Sequence, residues 1–182
     1  MNSFLSEREA ILIISLKFLT GDMEKILVLS PGRQRYLIDL FKVYFEVYIG
    51  DNNDLILETY KEFTSLKMPL YGSEEYMDVL TSFICEHEIN YVLTLSDIEV
   101  VVLSGNEVLL ENAGCHLIGL PYDKALLCLD KYLFYEYLIT NGIYTPLTYI
   151  EVDKLQTDLK AGRIHYPLII KKIFYFFFHY FL

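Results

Sequence analysis

The sequence has too little positive charge for a protein that binds duplex DNA through its phosphates. It carries 15 lysines and arginines against 25 aspartates and glutamates, a formal net charge of −10 over 182 residues. Neutralising a row of phosphates requires a basic surface, so this composition argues against nucleic acid as a partner. The hydrophobic share of 53% is typical of a globular chain of one domain, or of one domain plus a fragment.

Cysteine is scarce, and neither cysteine nor histidine is spaced for a metal site. The three cysteines, Cys85, Cys115 and Cys128, are odd in number and form no C-x-x-C pair. The four histidines show no H-x-x-x-H pattern. The sequence therefore predicts neither a disulfide framework nor a structural zinc site, and it favours a reducing, cytoplasmic compartment.

Long hydrophobic runs are absent as well. The apolar segment at residues 10–19 is interrupted by Lys17, whereas a spanning helix needs about 20 apolar residues. No A-x-A cleavage pattern follows it, which argues against a signal peptide. Because MEKILVLS, starting at Met23, is typical of the first strand of a domain, we predict that residues 1–22 are an N-terminal extension. A helix packed on the surface is the alternative.

The last residues, 172–182, differ from the rest of the chain. Five of the 12 phenylalanines lie in the final nine residues, with no period of two or 3.6 that would leave a polar face. We expect this aromatic tail to be aberrant, produced by a frameshift or a sequencing artefact at the Lys171-Lys172 pair that truncates the chain. A membrane anchor is the alternative, although the run is only about half the length of a bilayer span.

From residue 25 to about 120, short apolar runs alternate with amphipathic segments. The predicted strands are Lys25–Ser30, Phe45–Gly50, Ser65–Pro69, Tyr91–Leu95 and Cys115–Leu120. The predicted helices are Arg33–Phe41, Glu58–Phe63, a helix capped by Ser73 that reaches Glu88, and Ile98–Asn112. This alternation predicts an α/β fold, a Rossmann-like domain with a mostly parallel sheet between helices.

Ligands of such sheets bind beyond the carboxyl ends of the strands. The polar residues predicted at that edge are Ser30 to Arg33, then Asp51, and then residues 96–99. All but Ser30 and the apolar Ile98 are candidate substrate-binding residues: Pro31, Gly32, Arg33, Asp51, Ser96, Asp97 and Glu99. Turn formation and helix capping explain these residue types equally well.

The charge balance changes near residue 130. Residues 131–182 carry a net charge of +2 and the residues before them −12, which indicates a second structural unit. We predict one or two helices over Asp123–Asn141, with Asp130 as an N-cap and Lys131 at the first helical position. A helix over Asp153–Ala161 and an apolar strand over Pro167–Lys171 complete this region.

Four segments, taken together, resemble the N-terminal part of ATP-grasp ligases. They include KILVLSPGRQRYLIDLFK at Lys25–Lys42 and HYPLIIKK at His165–Lys172, and the other two are Pro69–Val100 and Asp130–Tyr149. The similarity extends to the large chain of carbamoyl-phosphate synthetase and to the carboxylate–amine ligase of pyrrolysine biosynthesis. It implies a Rossmann-like pre-ATP-grasp domain over residues 23–122 and an incomplete ATP-grasp domain over residues 123–171.

The resemblance also implies a function. An intact relative would use ATP and Mg²⁺ to activate a carboxylate as an acyl phosphate and join it to an amine. The two family lysines that reach the nucleotide phosphates correspond to Lys131 and Lys171, and solvated structural lysines are the alternative. We expect a nucleotide and a small-molecule carboxylate as partners, and a homo-oligomer is left open.

The family's Gly-rich loop and Mg²⁺ ligands have no counterpart in this sequence, so we expect the chain itself to be inactive. Two other functions compete with a truncated ligase. A stand-alone Rossmann-like nucleotide-binding module is favoured by Asp51, 19 residues after Gly32, where a ribose-binding acid would lie. Against it, SPGRQR lacks the G-x-G-x-x-G pattern. The two apolar ends of the chain favour a non-catalytic membrane-associated protein.

Overall fold

The computed structural model describes residues 23–171, which divide into two compact units with the boundary between Gly119 and Leu120. The strands of the first unit are β1 (Lys25–Leu29), β2 (Glu46–Asp51), β3 (Ser65–Lys67), β4 (Tyr91–Thr94) and β5 (His116–Ile118). Its helices are α1 (Arg35–Phe41), α2 (Asp54–Thr59), α3 (Tyr76–His87), α4 (Asp97–Gly105) and α5 (Glu107–Asn112). The predicted N-terminal extension, 1–22, and the predicted aromatic tail, 172–182, lie outside the described residues.

The five strands form one parallel sheet in the order β3-β2-β1-β4-β5. The central strand β1 ends at Leu29, which lies opposite Gly50 of β2 and opposite Thr94 of β4. Each pair of consecutive strands is joined through at least one helix, which is how parallel strands are connected. The predicted α/β class, a Rossmann-like domain with a mostly parallel sheet, is confirmed.

Each face of the sheet has its own hydrophobic core. Leu27 and Leu29 of β1 belong to a cluster with buried residues of α3, α4 and α5. Ile26 and Val28 point to the opposite face and belong to a cluster that includes Ile38 of α1. These four side chains of β1 are fully buried. A strand covered on both faces is apolar throughout, which explains why the KILVL run identified β1 in the sequence.

Two of the predicted helices are wrong in their extent. Helix α2 covers Asp54–Thr59 instead of residues 58–63, because the Asn53 side chain accepts a hydrogen bond from the Leu55 amide and caps an earlier start. The single helix predicted over residues 98–112 is divided into α4 and α5 at Asn106, whose side-chain amide donates to the Val102 carbonyl at 2.9 Å.

The N-cap predicted at Ser73 is also wrong. Helix α3 starts at Tyr76, and Glu75 occupies the N-cap position. The Ser73 Oγ atom is buried and has no hydrogen-bond partner among the residues that the structure describes. A turn formed by residues 70–76 separates the serine from the helix, so its hydroxyl does not reach the first-turn amides.

The second unit contains α6 (Tyr122–Leu129), α7 (Lys131–Thr140) and α8 (Val152–Lys160). Asp130 is the N-cap of α7, as predicted: its Oδ1 atom accepts from the amides of Tyr132 at 2.9 Å and Leu133 at 3.0 Å. In the described part of this unit, Ala125 and Leu129 are the buried apolar residues.

The strand predicted over Pro167–Lys171 is wrong. These residues are exposed and form no strand, because no strand among residues 120–171 pairs with their amides and carbonyls. The two domain ranges predicted from the resemblance, 23–122 and 123–171, stay predictions. Over residues 23–171, no helix combines the length and the apolar character that crossing a bilayer requires.

Candidate functional site

The candidate site lies at the carboxyl edge of the sheet, between the ends of β1 and β4. The chain winds from β1 through β2 to β3 on one side and then crosses to β4 and β5 on the other. At such a reversal, the connections that follow the two central strands turn to opposite sides of the sheet, which leaves a crevice at its carboxyl edge. The Leu95 amide donates to the Leu29 carbonyl at 3.1 Å, so the two turns start side by side.

The predicted edge residues are brought to this place by the strands that precede them. Pro31, Gly32 and Arg33 follow β1, while Ser96 and Asp97 follow β4. Asp51 ends the neighbouring strand β2. Glu99 lies in the first turn of α4, and its side chain points back under the edge, where it is 5% exposed.

The Glu99 carboxylate joins three separate parts of the unit. Its Oε2 atom accepts hydrogen bonds from the Ser30 hydroxyl at 2.7 Å and the Thr94 hydroxyl at 2.6 Å. Its Oε1 atom accepts from the Tyr76 hydroxyl at 3.0 Å. Burial and the nearby Glu99 carboxylate raise the pKa of Tyr76 well above its usual value, so this hydroxyl stays protonated and donates. Through these hydrogen bonds, the carboxylate connects the turn after β1 to β4 and to α3.

Asp51 is the second buried carboxyl group of the edge and is 7% exposed. Its Oδ1 atom accepts from the Asn53 amide at 2.8 Å. Burial raises the pKa of Asp51 above its ordinary value, and the backbone amides of Asn53 and Asn52 together with the charge of Lys67 oppose this shift in part. The Lys67 ammonium itself donates to the Asn52 carbonyl at 2.6 Å and pairs with Asp54.

The turn after β1 has an unusual backbone. Ser30 and Gly32 both have positive φ angles, +48° and +53°. Glycine adopts this region without a steric penalty, and an added Cβ at Gly32 would meet nothing within 4 Å, so conformation alone favours glycine there. The fully buried Tyr60 donates its hydroxyl to the Gly32 carbonyl at 3.2 Å. Pro31 is buried, whereas Arg33 is exposed.

Two of the candidate substrate-binding residues, Ser96 and Asp97, are explained by their positions at the start of α4. Ser96 occupies the N-cap position of α4, and its amide donates to the Thr94 hydroxyl at 3.1 Å. Asp97 is exposed in the first turn of the helix, where a negative charge is favourable without any ligand.

Two residues of the edge were missed by the sequence analysis, Thr94 and Tyr76. Both are buried, with exposed fractions of 5% and 1%, and both donate to Glu99. A threonine at the end of an otherwise apolar strand was the available signal for Thr94. No comparable signal marked Tyr76, because its role depends on α3 lying beside α4.

In the second unit, Lys131 is partly buried at the first position of α7. The amides of Tyr132 and Leu133 at this helix start already bond to the Asp130 carboxylate, so they are not offered to a phosphate. Lys171 is exposed and follows no strand. Within residues 23–171, no three His, Cys, Asp or Glu side chains are grouped to hold a metal ion, so the described residues do not fit Mg²⁺.

Three of the solved structures that resemble this chain are distant from it in sequence. A Rex-family repressor is 13% identical, with a TM-score of 0.39, over 72% of this chain and 70% of that chain. The biotin carboxylase domain of a single-chain bacterial carboxylase is 16% identical, with a TM-score of 0.44, over 78% and 34%. A chorismate mutase/shikimate 5-dehydrogenase fusion protein from Clostridium acetobutylicum is 14% identical, with a TM-score of 0.30, over 81% and 58%.

The chain spans about a third of the biotin carboxylase domain and little more than half of the fusion protein. No curated protein matches it. A protein family described as PylC-like, N-terminal domain, matches residues 26–118. That range includes both turns of the candidate edge, Asp51 and Glu99.

Proposed function

The chain belongs to the PylC-like N-terminal domain family, the domain that precedes the ATP-grasp fold, and we propose that it serves as this part of an ATP-dependent carboxylate–amine ligase. The family match over residues 26–118 carries the proposal, because it covers nearly the whole parallel sheet and the edge where ligands of such sheets bind. In the ligase reaction, ATP phosphorylates a carboxylate and an amine displaces the phosphate from the acyl phosphate.

In this proposal the carboxyl edge of the first unit holds the small-molecule carboxylate. Arg33 supplies the cation of the turn after β1, and a guanidinium bonds a carboxylate through two parallel N–H donors. Pro31 and Gly32 shape the turn, while Ser96, Asp97 and Asp51 provide the polar atoms of its neighbours. Glu99 lies beneath them, with its oxygens already accepting from three hydroxyls.

The nucleotide is assigned to the second unit. Lys131 and Lys171 would contact the phosphates of ATP, since an ammonium group offers three donors to phosphate oxygens. The support for this assignment is their position in the motifs that resemble ATP-grasp ligases. Because Asp130 occupies the amides at the start of α7, the Lys131 side chain would act through its own charge and not through the helix terminus. Because the described residues do not fit Mg²⁺, we derive no step through the metal.

Calorimetric titration of the full chain with ATP and, separately, with NAD tests the nucleotide assignment. We expect ATP to bind, and Lys131→Ala and Lys171→Ala each to weaken it about tenfold, the usual effect of losing a hydrogen bond to a charged group. Lys154→Ala, which removes an exposed lysine of α8, is the matched control and should leave the affinity unchanged. Tight NAD binding with no response to ATP would favour the stand-alone Rossmann-like module instead.

A second titration, with a panel of amino acids and simple carboxylates, tests the edge. Arg33→Lys keeps the positive charge of the turn and loses the paired donors, whereas Arg33→Ala loses both. We expect affinity for a bound carboxylate to fall from wild type to Arg33→Lys and further to Arg33→Ala. Equal affinities in all three proteins would remove Arg33 from the substrate site.

A further inference from the structure

Ser30 has a backbone conformation that its sequence context disfavours. Its φ angle is +48°, in the left-handed region that few non-glycine residues adopt. It also precedes Pro31, and a residue before proline is driven towards the extended conformation. Contacts elsewhere in the fold must therefore hold Ser30 in place.

Two hydrogen bonds do so. The Ser30 amide donates to the Gly50 carbonyl at 2.8 Å, which continues the pairing of β1 with β2. The Ser30 hydroxyl donates to Glu99 at 2.7 Å on the opposite side, towards β4. The first bond involves only the backbone and is open to any residue except proline, so the second is the one that depends on side chains.

Glu99 is itself fixed from two directions. The hydroxyl of Thr94 comes from the last residue of β4, and the hydroxyl of Tyr76 comes from the first residue of α3. Both donors are at most 5% exposed, so neither moves freely. The carboxylate is thus anchored to β4 and α3, and from there it holds the Ser30 hydroxyl.

We infer that Glu99 is a positioning residue, which keeps Ser30 in the left-handed conformation and thereby sets the course of the turn over Pro31, Gly32 and Arg33. It does not contact substrate, because it is 5% exposed and both of its oxygens already accept hydrogen bonds. The inference rests on the proposed function in one respect, that this turn belongs to the substrate site.

The other end of the turn is held in a similar way. Gly32 also has a positive φ angle, and its carbonyl accepts from the fully buried Tyr60 hydroxyl. Hydroxyl contacts from opposite faces of the sheet therefore fix the first and third residues of the turn. Such a preorganised backbone binds a ligand without first having to be ordered.

Amide hydrogen exchange on the full chain tests the inference. Two reporter amides belong to the turn, Ser30, bonded to Gly50, and Gln34, bonded to Pro31. The remote reporter is His116, whose amide donates to the Asn90 carbonyl at the other end of the strands. We expect Glu99→Gln to lower the protection factors of the two turn amides about tenfold, the effect of one lost charge-assisted hydrogen bond, and to leave His116 unchanged.

Glu107→Gln, in the first turn of α5, is the matched control because it removes an exposed carboxylate of the same type. It should change none of the three protection factors. If Glu99→Gln lowers protection at His116 as much as at Ser30, Glu99 stabilises the whole unit and the positioning role is wrong.

Replacing Ser30 by glycine provides the decisive comparison. Glycine adopts a positive φ without help, so in the Ser30→Gly background Glu99→Gln should lower the Gln34 protection factor by less than about threefold. An equal tenfold loss in both backgrounds would show that Glu99 does not act through Ser30, and would overturn the inference.

If Glu99→Gln does not fold, Ser30→Ala and Ser30→Gly decide the question. Both lose the hydroxyl, but only alanine keeps the Cβ that opposes a positive φ, so Gln34 should be less protected in the alanine variant. Equal protection in the two variants would contradict the inference. All of these measurements are made without ligand, so a failure of the ligase assignment would not alter them.

Discussion

The two units differ most in how many of their apolar side chains they bury. In the first, the parallel sheet has a core on each face, and β1 buries four consecutive residues completely. In the second, the described helices bury Ala125 and Leu129, whereas Tyr144 and Ile170 are 98% and 97% exposed. A sheet covers apolar residues on two sides, while these helices cover few of theirs within residues 120–171.

The functional proposals follow the same division. At the edge of the first unit, three hydroxyls donate to one buried carboxylate, and all four residues lie in the range that matches a protein family. Lys131 and Lys171 of the second unit lie outside that range, so their role rests on resemblance alone. The substrate edge is therefore the better-supported half of the proposed ligase.

The largest difference between the units should appear in leucine-to-alanine substitutions. Leu27 of β1 is fully buried in the core that also contains residues of α3, so Leu27→Ala should lower the free energy of unfolding by about 3 kcal/mol. Leu147 is 60% exposed in the second unit, so Leu147→Ala should lower it by less than about 0.5 kcal/mol. Urea denaturation followed by circular dichroism measures both, and equal losses would contradict the comparison.

The next difference is in thiol reactivity. Burial raises the pKa of Cys115, which lies in the core that contains Leu27 and Leu29, to about 12, so little thiolate forms at neutral pH. Cys128 of the second unit is exposed. In variants that retain one cysteine each, Cys115 should react with a disulfide reagent at least about a hundredfold more slowly than Cys128.

Cys85 provides the control for that comparison, because it is exposed but belongs to the first unit. It should react at a rate near that of Cys128. A rate for Cys115 close to those of the other two cysteines would show that the core around it opens readily in the native protein.

The smallest effect concerns pH, and the two units should respond with opposite signs. Burial raises the pKa of Asp51 in the folded protein, so the fold favours the protonated carboxyl group. The contribution of Asp51 to the free energy of unfolding is therefore complete below the ordinary aspartate pKa near 4 and is lost as pH rises above it. The folded pKa of Asp158 is lowered by hydrogen bonds from Tyr149 and Arg163, so its stabilisation is complete above that value and is lost as pH falls.

Thermal unfolding of Asp51→Asn and Asp158→Asn between pH 3 and pH 6 measures these signs. As the pH rises, the amount by which the wild-type Tm exceeds that of Asp51→Asn should shrink. The amount by which it exceeds that of Asp158→Asn should grow. Asp78→Asn, at an exposed position of α3, reports the effect of removing one negative charge from the surface. Slopes of the same sign in both variants would contradict the prediction.

The sequence predicted β1, β2 and β4 well because each is a short, mainly apolar run between polar turns. It was less accurate where side chains decide the boundary: Asn53 starts α2 early, and Asn106 divides the predicted helix over residues 98–112. The strand over Pro167–Lys171 was wrong because apolar character alone does not supply a partner strand.

Periodicity and residue order by themselves determined the parallel α/β layer and the edge at which Asp51 and residues 96–99 follow their strands. Only the tertiary structure decided that Glu99 lies under that edge and accepts hydroxyls from Ser30, Thr94 and Tyr76. The physical reason is distance along the chain. A strand or helix is specified by neighbouring residues, whereas these three hydroxyls reach one carboxylate only after the strands have paired and α3 has packed on the sheet.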